Sequence, residues 1–340
     1  MGAAGSARTV TGTANSTPGP AQAGPVVSAL IDYGRGISAI DTDYVRPRLD
    51  ASHLIVHEGR GAFVDTGTSH SVPALLAALA ARGLAPEAVD WVFLTHIHLD
   101  HAGGAGALLQ RLPNARVVVH PRGVQHLADP ARLIAATRSV YGDANYERLY
   151  GEIVPVPAER IVATEEGLTL RLGARPFTFL HTPGHALHHC VIVDHEAEAV
   201  FSGDTFGVSY REFDVDGRPF VLPATTPTQF DPAQLHASVD RVLGEKPKRV
   251  YMTHYGEVTD VARLGADMHA GIDAYVAIAK RHAESSDRVE RMRADMFGYL
   301  AGVLDRHGFS KDVARRHELL DLDINLNVDG LIAWLGRRAA

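Results

Sequence analysis

The sequence predicts a layered α/β fold followed by a helical tail. Three observations carry this reading. Short apolar runs repeatedly stop at a polar residue beside Gly, Thr or Pro; helical stretches lie between them through about residue 255; and from Val261 onward only helical spacing remains. At 340 residues, 46% hydrophobic and 21% charged, the chain is long enough and ordinary enough to bury a sizeable core.

Residues 1–25 are rich in Ala, Gly, Ser, Thr and Pro and lack the basic start and unbroken apolar core of a secretory signal, so a flexible tail is expected. The first run is AFVDTG, residues 62–67, and VPALLAALAARG, 72–83, then reads as a helix closed by Gly83. WVFLTHIHLDH, 91–101, follows. The glycines of HAGGAG lead into ALLQRL and the strand-like ARVVVH; without the GK[ST] ending of a P-loop, they are assigned to tight turning into a helix. FTFLHTPGH (177–185), AVFSGD (199–204) and RVYMTHYG (249–256) repeat the pattern. Apolar runs without alternation suit strands covered on both faces, and in such folds ligands gather where strands end.

In the tail, Leu264, Met268, Ile272 and Val276, then Met292, Met296, Leu300 and Val303, fall at helical spacing. Ser310 is placed to cap a further short helix, and LIAWLGRR to form the last. Residues 26–260 are therefore expected to form the main domain and 261–340 a helical extension, serving as a lid or as the contact of a homodimer.

Thirty-three Lys and Arg against 40 Asp and Glu leave a formal charge of -7, so no general attraction to nucleic acid or anionic membrane is expected. No apolar run approaches the roughly 20 residues of a membrane span. The single cysteine, Cys190, cannot form an internal disulfide or a thiolate zinc site alone. A core position and a reducing cytoplasm are expected for it.

THIHLDH, residues 95–101, holds the densest chemistry. In an extended segment alternate side chains share a face, so His96, His98 and Asp100 can point one way with His101 beside them. Imidazoles and a carboxylate at this spacing suit zinc. An HxH alone is unremarkable in a chain with 19 histidines. His185, Asp204 and His254, however, stand at similar strand exits and bring the candidates to seven. Two metals with three protein ligands each, a shared aspartate and a shared water would keep positions open for chemistry, whereas a structural zinc closes its shell.

This constellation resembles the metallo-β-lactamase superfamily. The HxHxDH signature matches His96, His98, Asp100 and His101; the TPGH turn matches at His185; the GD pair matches at Asp204; and the final histidine matches His254. The resemblance implies a four-layer αββα sandwich. It implies one metal site of His96, His98 and His185, a second of Asp100, His101 and His254, and Asp204 shared between them. Asp65, in the matching DTG, would support the ligand loop. His181, His188 and His189 match no ligand position and are read as supporting or strand residues.

Two divalent cations, zinc by preference with iron or manganese as alternatives, would lower the pKa of a bridging water toward about 7. That water could attack a small ester, thioester or lactone, with Asp100 holding or moving its proton. Tyr210 and Tyr255 either donate to the developing oxyanion or pack with satisfied hydroxyls. Asp204 stands where lactamases of this superfamily that use a cysteine ligand carry it, so β-lactamase activity is not expected. His98 replaces the glutamate of the flavin-linked diiron reductases. Glyoxalase II, lactonases and RNase Z are similar at these positions. A mononuclear iron sulfur dioxygenase is the alternative function and an RNase Z-like nuclease the third. The substrate itself has no readable code.

Overall fold

The computed structural model describes residues 30–225 and 229–339, so the tail expected at 1–25 lies outside the described residues. The apolar runs pair into two sheets whose strands neighbour one another in chain order. The first contains β1 (Leu30–Asp32), β2 (Ile37–Asp41), β3 (Ala51–His57), β4 (Arg60–Val64), β5 (Val89–Phe93), β6 (Arg116–Val119) and β7 (Ile161–Ala163). The second contains β8 (Thr169–Leu172), β9 (Arg175–His181), β10 (Cys190–Asp194), β11 (Ala199–Phe201), β12 (Arg249–Met252) and β13 (Gly256–Val258). Helices α1 (Val72–Ala81), α2 (Leu99–Ala102), α3 (Ala105–Leu109), α4 (Val124–Ala128), α5 (Ala131–Tyr141) and α6 (Asp143–Tyr150) connect the first sheet; α7 (Pro232–Gly244) belongs to the second. The chain ends in α8 (Val261–His282), α9 (Arg288–His307) and α10 (Val313–Ala339).

Three apolar layers explain why the strands do not alternate. Phe93, Phe177, Phe179, Ile192 and Phe201 fill the space between the sheets. Leu75, Leu79, Val92, Leu108 and Val117 pack the first sheet against α1 and α3. Val239, Val250, Leu264, Met268, Leu300 and Leu331 pack the second sheet against α7 to α10. Both faces of each sheet are thus dry, and each fully buried Leu or Phe contributes about 1.5–3 kcal/mol. The order of layers is αββα, as the resemblance implied.

Two local expectations are corrected. Gly103 and Gly104 in HAGGAG have φ of -62° and -83°, ordinary for any residue. The constraint is close packing: a Cβ on Gly106 would stand 1.9 Å from the Val154 carbonyl oxygen. Ser310 caps no helix, and LIAWLGRR is the end of one continuous α10 rather than a separate element. Asp312 holds the start, its Oδ1 accepting from the Arg315 amide at 2.9 Å. Leu320, Ile324, Val328 and Leu331 stay buried at helical spacing through the expected break, so the packing carries the helix across it.

Candidate metal centre

β4 and β5 run parallel, as do β11 and β12. β9 and β11 are each antiparallel to β10 and so share a direction. Their loops carry Asp65, the 96–101 cluster, His185, Asp204 and His254 to one crevice at the sheet ends. All seven expected ligands meet there.

Ligand atoms of His96, His98 and His185 lie within 4.8 Å of one another, as do those of Asp100, His101 and His254, and those of His96, His101 and Asp204. His98 Nδ1 is 2.8 Å from His96 Nε2 and 3.1 Å from His185 Nε2. Asp204 faces both groups: Oδ2 is 3.4 Å from His185 Nε2, and Oδ1 is 3.2 Å from His101 Nε2 and 3.7 Å from His254 Nε2.

The remaining ring nitrogens fix the tautomers. His185 Nδ1 donates to the Ala224 carbonyl at 3.0 Å, His254 Nδ1 to the Leu49 carbonyl at 2.8 Å, and His101 Nδ1 to Asp65 Oδ2 at 2.8 Å. Each therefore turns a free Nε2 lone pair inward, the form that ligates a cation. His101 Nε2 and Asp204 Oδ1 are buried and have no hydrogen-bond partner. A positive ion between them would satisfy both, so the donor set fits a metal.

The same demand for positive charge shows in the titration of the cluster. Burial opposes a charge on His254, yet Asp204, Asp100 and Asp50 outweigh it and raise its pKa to about 10. His101 is likewise raised, against burial, by Asp204, Asp65 and Asp100. Burial works against Asp204 as well, but His101, His185 and His254 hold its carboxyl well below the usual range. On the other side, burial dominates and keeps His96 neutral and His98 at about 3.

The metallo-beta-lactamase superfamily model matches residues 45–254. The chain belongs to this superfamily. It is 29% identical over 231 residues to the metallo-beta-lactamase fold-containing protein ST1585 of Sulfurisphaera tokodaii, covering 66% of this chain and 80% of that protein. It is also 29% identical over 241 residues to a hydroxyacylglutathione hydrolase of Acidiphilium cryptum, covering 71% and 75%. The solved ST1585 structure superposes with a TM-score of 0.61 at 22% identity over 87% of this chain and 98% of that one. The metallo-beta-lactamase family protein TTHA1429 of Thermus thermophilus gives 0.60 at 20% identity over 90% and 94%. These likenesses show the shared fold.

Within this superfamily fold, the loops are tied together by further polar groups, of which the sequence reading named only His181, His188 and His189, as supporting or strand residues. Thr95 and Thr253 each precede a histidine of the cluster, and their Oγ1 atoms donate to Asp65 Oδ2 at 2.8 and 2.9 Å. The recurring TH dipeptide at two strand ends was the available signal. His189 Nε2 accepts from the Asp204 amide at 3.2 Å and so holds that loop; His188 Nδ1 accepts from the Ile97 amide at 3.5 Å; and His181 Nε2 donates to the Thr164 carbonyl at 3.1 Å. Asp50, fully buried beside His254, accepts from Thr42 Oγ1 at 2.7 Å, and burial raises its pKa to about 7. No sequence pattern marks it.

Beside the cluster lies a cavity of about 150 Å³, into which His98, Asp100, Asp204 and His254 face. Tyr210 lines it, its hydroxyl donating to Asp323 Oδ1 at 3.0 Å. Tyr255 does not. It is fully buried against Ala39 and Ala51, in the turn between β12 and β13, while His254 beside it faces the cavity. Of the two alternatives for Tyr255, this placement fits packing and not the oxyanion role, and its hydroxyl has no partner among the described residues.

Proposed function

We propose that this superfamily metallo-hydrolase is a dinuclear zinc enzyme that hydrolyses a small ester, thioester or lactone. The observation that carries the reading is Asp204: its two oxygens face two separate groups of imidazoles, which is the arrangement of a carboxylate shared by two cations. His96, His98 and His185 would hold one ion, and Asp100, His101 and His254 the other. When bound, such ions supply Lewis acidity and a water ionised near neutral pH. The name of the Acidiphilium cryptum relative, hydroxyacylglutathione hydrolase, supports the same class.

The protein's own groups then orient the reaction. Asp100, which His101 and His254 hold at about 2 in spite of burial, is an anion throughout the working range and accepts a hydrogen bond from the attacking water. A base so weak orients the nucleophile and does not retain its proton. His185, His101 and His254, fixed through Nδ1, cannot rotate away as charge develops.

Metal quantification and a panel of esters, thioesters and lactones on one preparation test this, with His96→Ala as control. Two metals per chain and turnover that His96→Ala lowers by about a thousandfold are expected. A fully metallated protein that hydrolyses nothing in the panel would overturn the reading; one iron per chain with oxygen uptake on a persulfide would replace it.

A further inference from the structure

The wall of the cavity facing the metal cluster is built by the helical tail. Leu322, Asp323, Leu326 and Asn327 line it, positions one helical turn apart on a single face of α10. The volume of about 150 Å³ accommodates a group the size of benzene or a short acyl chain. Leu49, Val208, Leu133 and Leu149 are among the apolar residues that line the rest of it.

On α10, two polar groups interrupt that surface. Asn327 is 2% exposed, and its Oδ1 accepts from the Thr225 amide at 2.7 Å and from Thr225 Oγ1 at 2.9 Å. These bonds fix the orientation of the amide and leave Nδ2 without a protein partner among the described residues. Nδ2 is not among the buried unpaired atoms, so it opens onto the cavity that Asn327 lines, where an entering group can accept from it. One turn earlier, the Asp323 carboxylate stands against Tyr210 and offers an acceptor.

Charge decides what else can enter. Apart from Asp100 and Asp204, whose charge bound cations would offset, Asp323 is the carboxylate that lines the cavity, and among the described residues no Lys or Arg does. Arg46, stacked 4.6 Å above the Tyr210 ring, is already paired with Glu212. A substrate carrying carboxylates or phosphates away from its reacting carbonyl, and so away from the metal positions, would bring them beside Asp323 with no Lys or Arg to receive them.

We infer, resting on the hydrolase reading, that the cavity takes an uncharged acyl substrate. Its apolar chain lies on Leu322 and Leu326, and its polar group is read by the Asn327 Nδ2 donor and the Asp323 acceptor. Acyl groups on an anionic carrier thiol such as glutathione are rejected. Asn327 and Asp323 are thus specificity-determining residues supplied by the tail, and they set this chain apart from the relative named for hydroxyacylglutathione.

Calorimetric binding of hexanamide and of S-hexylglutathione to the metal-loaded protein tests this without turnover. Hexanamide should bind at least tenfold more tightly, and each CH₂ from butanamide to hexanamide should add roughly three- to fourfold. Asn327→Asp keeps the oxygen that Thr225 uses and removes the donor; it should weaken hexanamide about tenfold while the melting temperature holds. Asp323→Asn, which still accepts from Tyr210, should narrow the gap between the two ligands. Equal or tighter binding of S-hexylglutathione, or hexanamide affinity unchanged in Asn327→Asp, overturns the inference. Binding as described without hydrolysis of hexanoate esters sinks the hydrolase reading and leaves the recognition intact.

Discussion

His101 and Asp65 form a wholly buried pair, Nδ1 to Oδ2 at 2.8 Å, and the same carboxylate oxygen receives the hydroxyls of Thr95 and Thr253. One acid therefore ties the exits of β4, β5 and β12 together and sets which nitrogen of His101 faces inward. Asp65→Asn places an amide donor against the Nδ1–H donor and pushes His101 toward the wrong tautomer. Metal affinity at the second site should fall by about 10- to 100-fold, measured by chelator competition. Unchanged affinity would mean that Asp65 does not control the ligand.

The TPGH turn depends on a backbone that only glycine adopts freely. Gly184 has φ +133°, and a Cβ there would stand 2.3 Å from the Leu235 amide nitrogen at the start of α7. Gly184→Ala must move either α7 or the turn, and the turn carries His185. A loss of about 2–4 kcal/mol in unfolding free energy is expected, with reduced occupancy of the first metal group. Wild-type melting and full metal content in Gly184→Ala would contradict this account of the turn.

How much of this was readable follows from the range of the interactions. His96, His98, Asp100 and His101 sit within six residues, and His185, Asp204 and His254 each end an apolar run beside a turn residue, so local spacing exposed them. The two-layer burial was readable for the same reason, because doubly covered strands lose their alternation. Asp323 and Asn327 were not readable: they reach the cavity only because α10 packs across the second sheet, and helical spacing reports that a face is apolar without saying what it covers. Tyr255 stayed between an oxyanion role and packing, because adjacency to a ligand in sequence does not say which way a turn residue faces.

Away from the metal cluster, Arg175 and Asp194 form a buried ion pair on neighbouring strands, with Arg175 Nε 3.0 Å from Asp194 Oδ1 and Arg175 Nη1 donating to the Arg35 carbonyl at 2.7 Å. Arg175→Met leaves the carboxylate buried and unpaired, at an expected cost of about 3–5 kcal/mol in urea unfolding. Removing both charges with Arg175→Met and Asp194→Leu should recover most of the loss. A double variant as unstable as the single would show that packing, not the stranded charge, is what matters.

His53 gives the fold a defined acid sensitivity. It is 1% exposed on β3, edge-on to Phe201 and Tyr251 at centroid distances of 5.5 and 5.6 Å, and its Nε2 has no partner. Burial lowers its pKa from 6.5 to about 4, with Asp65 opposing. The folded chain therefore keeps His53 neutral while the unfolded chain takes up a proton below about 6.5, so the folded state loses ground as pH falls from 6.5 toward 4. By pH 5 the loss from this one residue is about 2 kcal/mol. His53→Phe offers no such proton site and suits the aromatic surroundings. Between pH 7 and pH 5 its unfolding free energy should drop by about 2 kcal/mol less than that of the wild type. Parallel declines in the two proteins would show that His53 is not the titrating group.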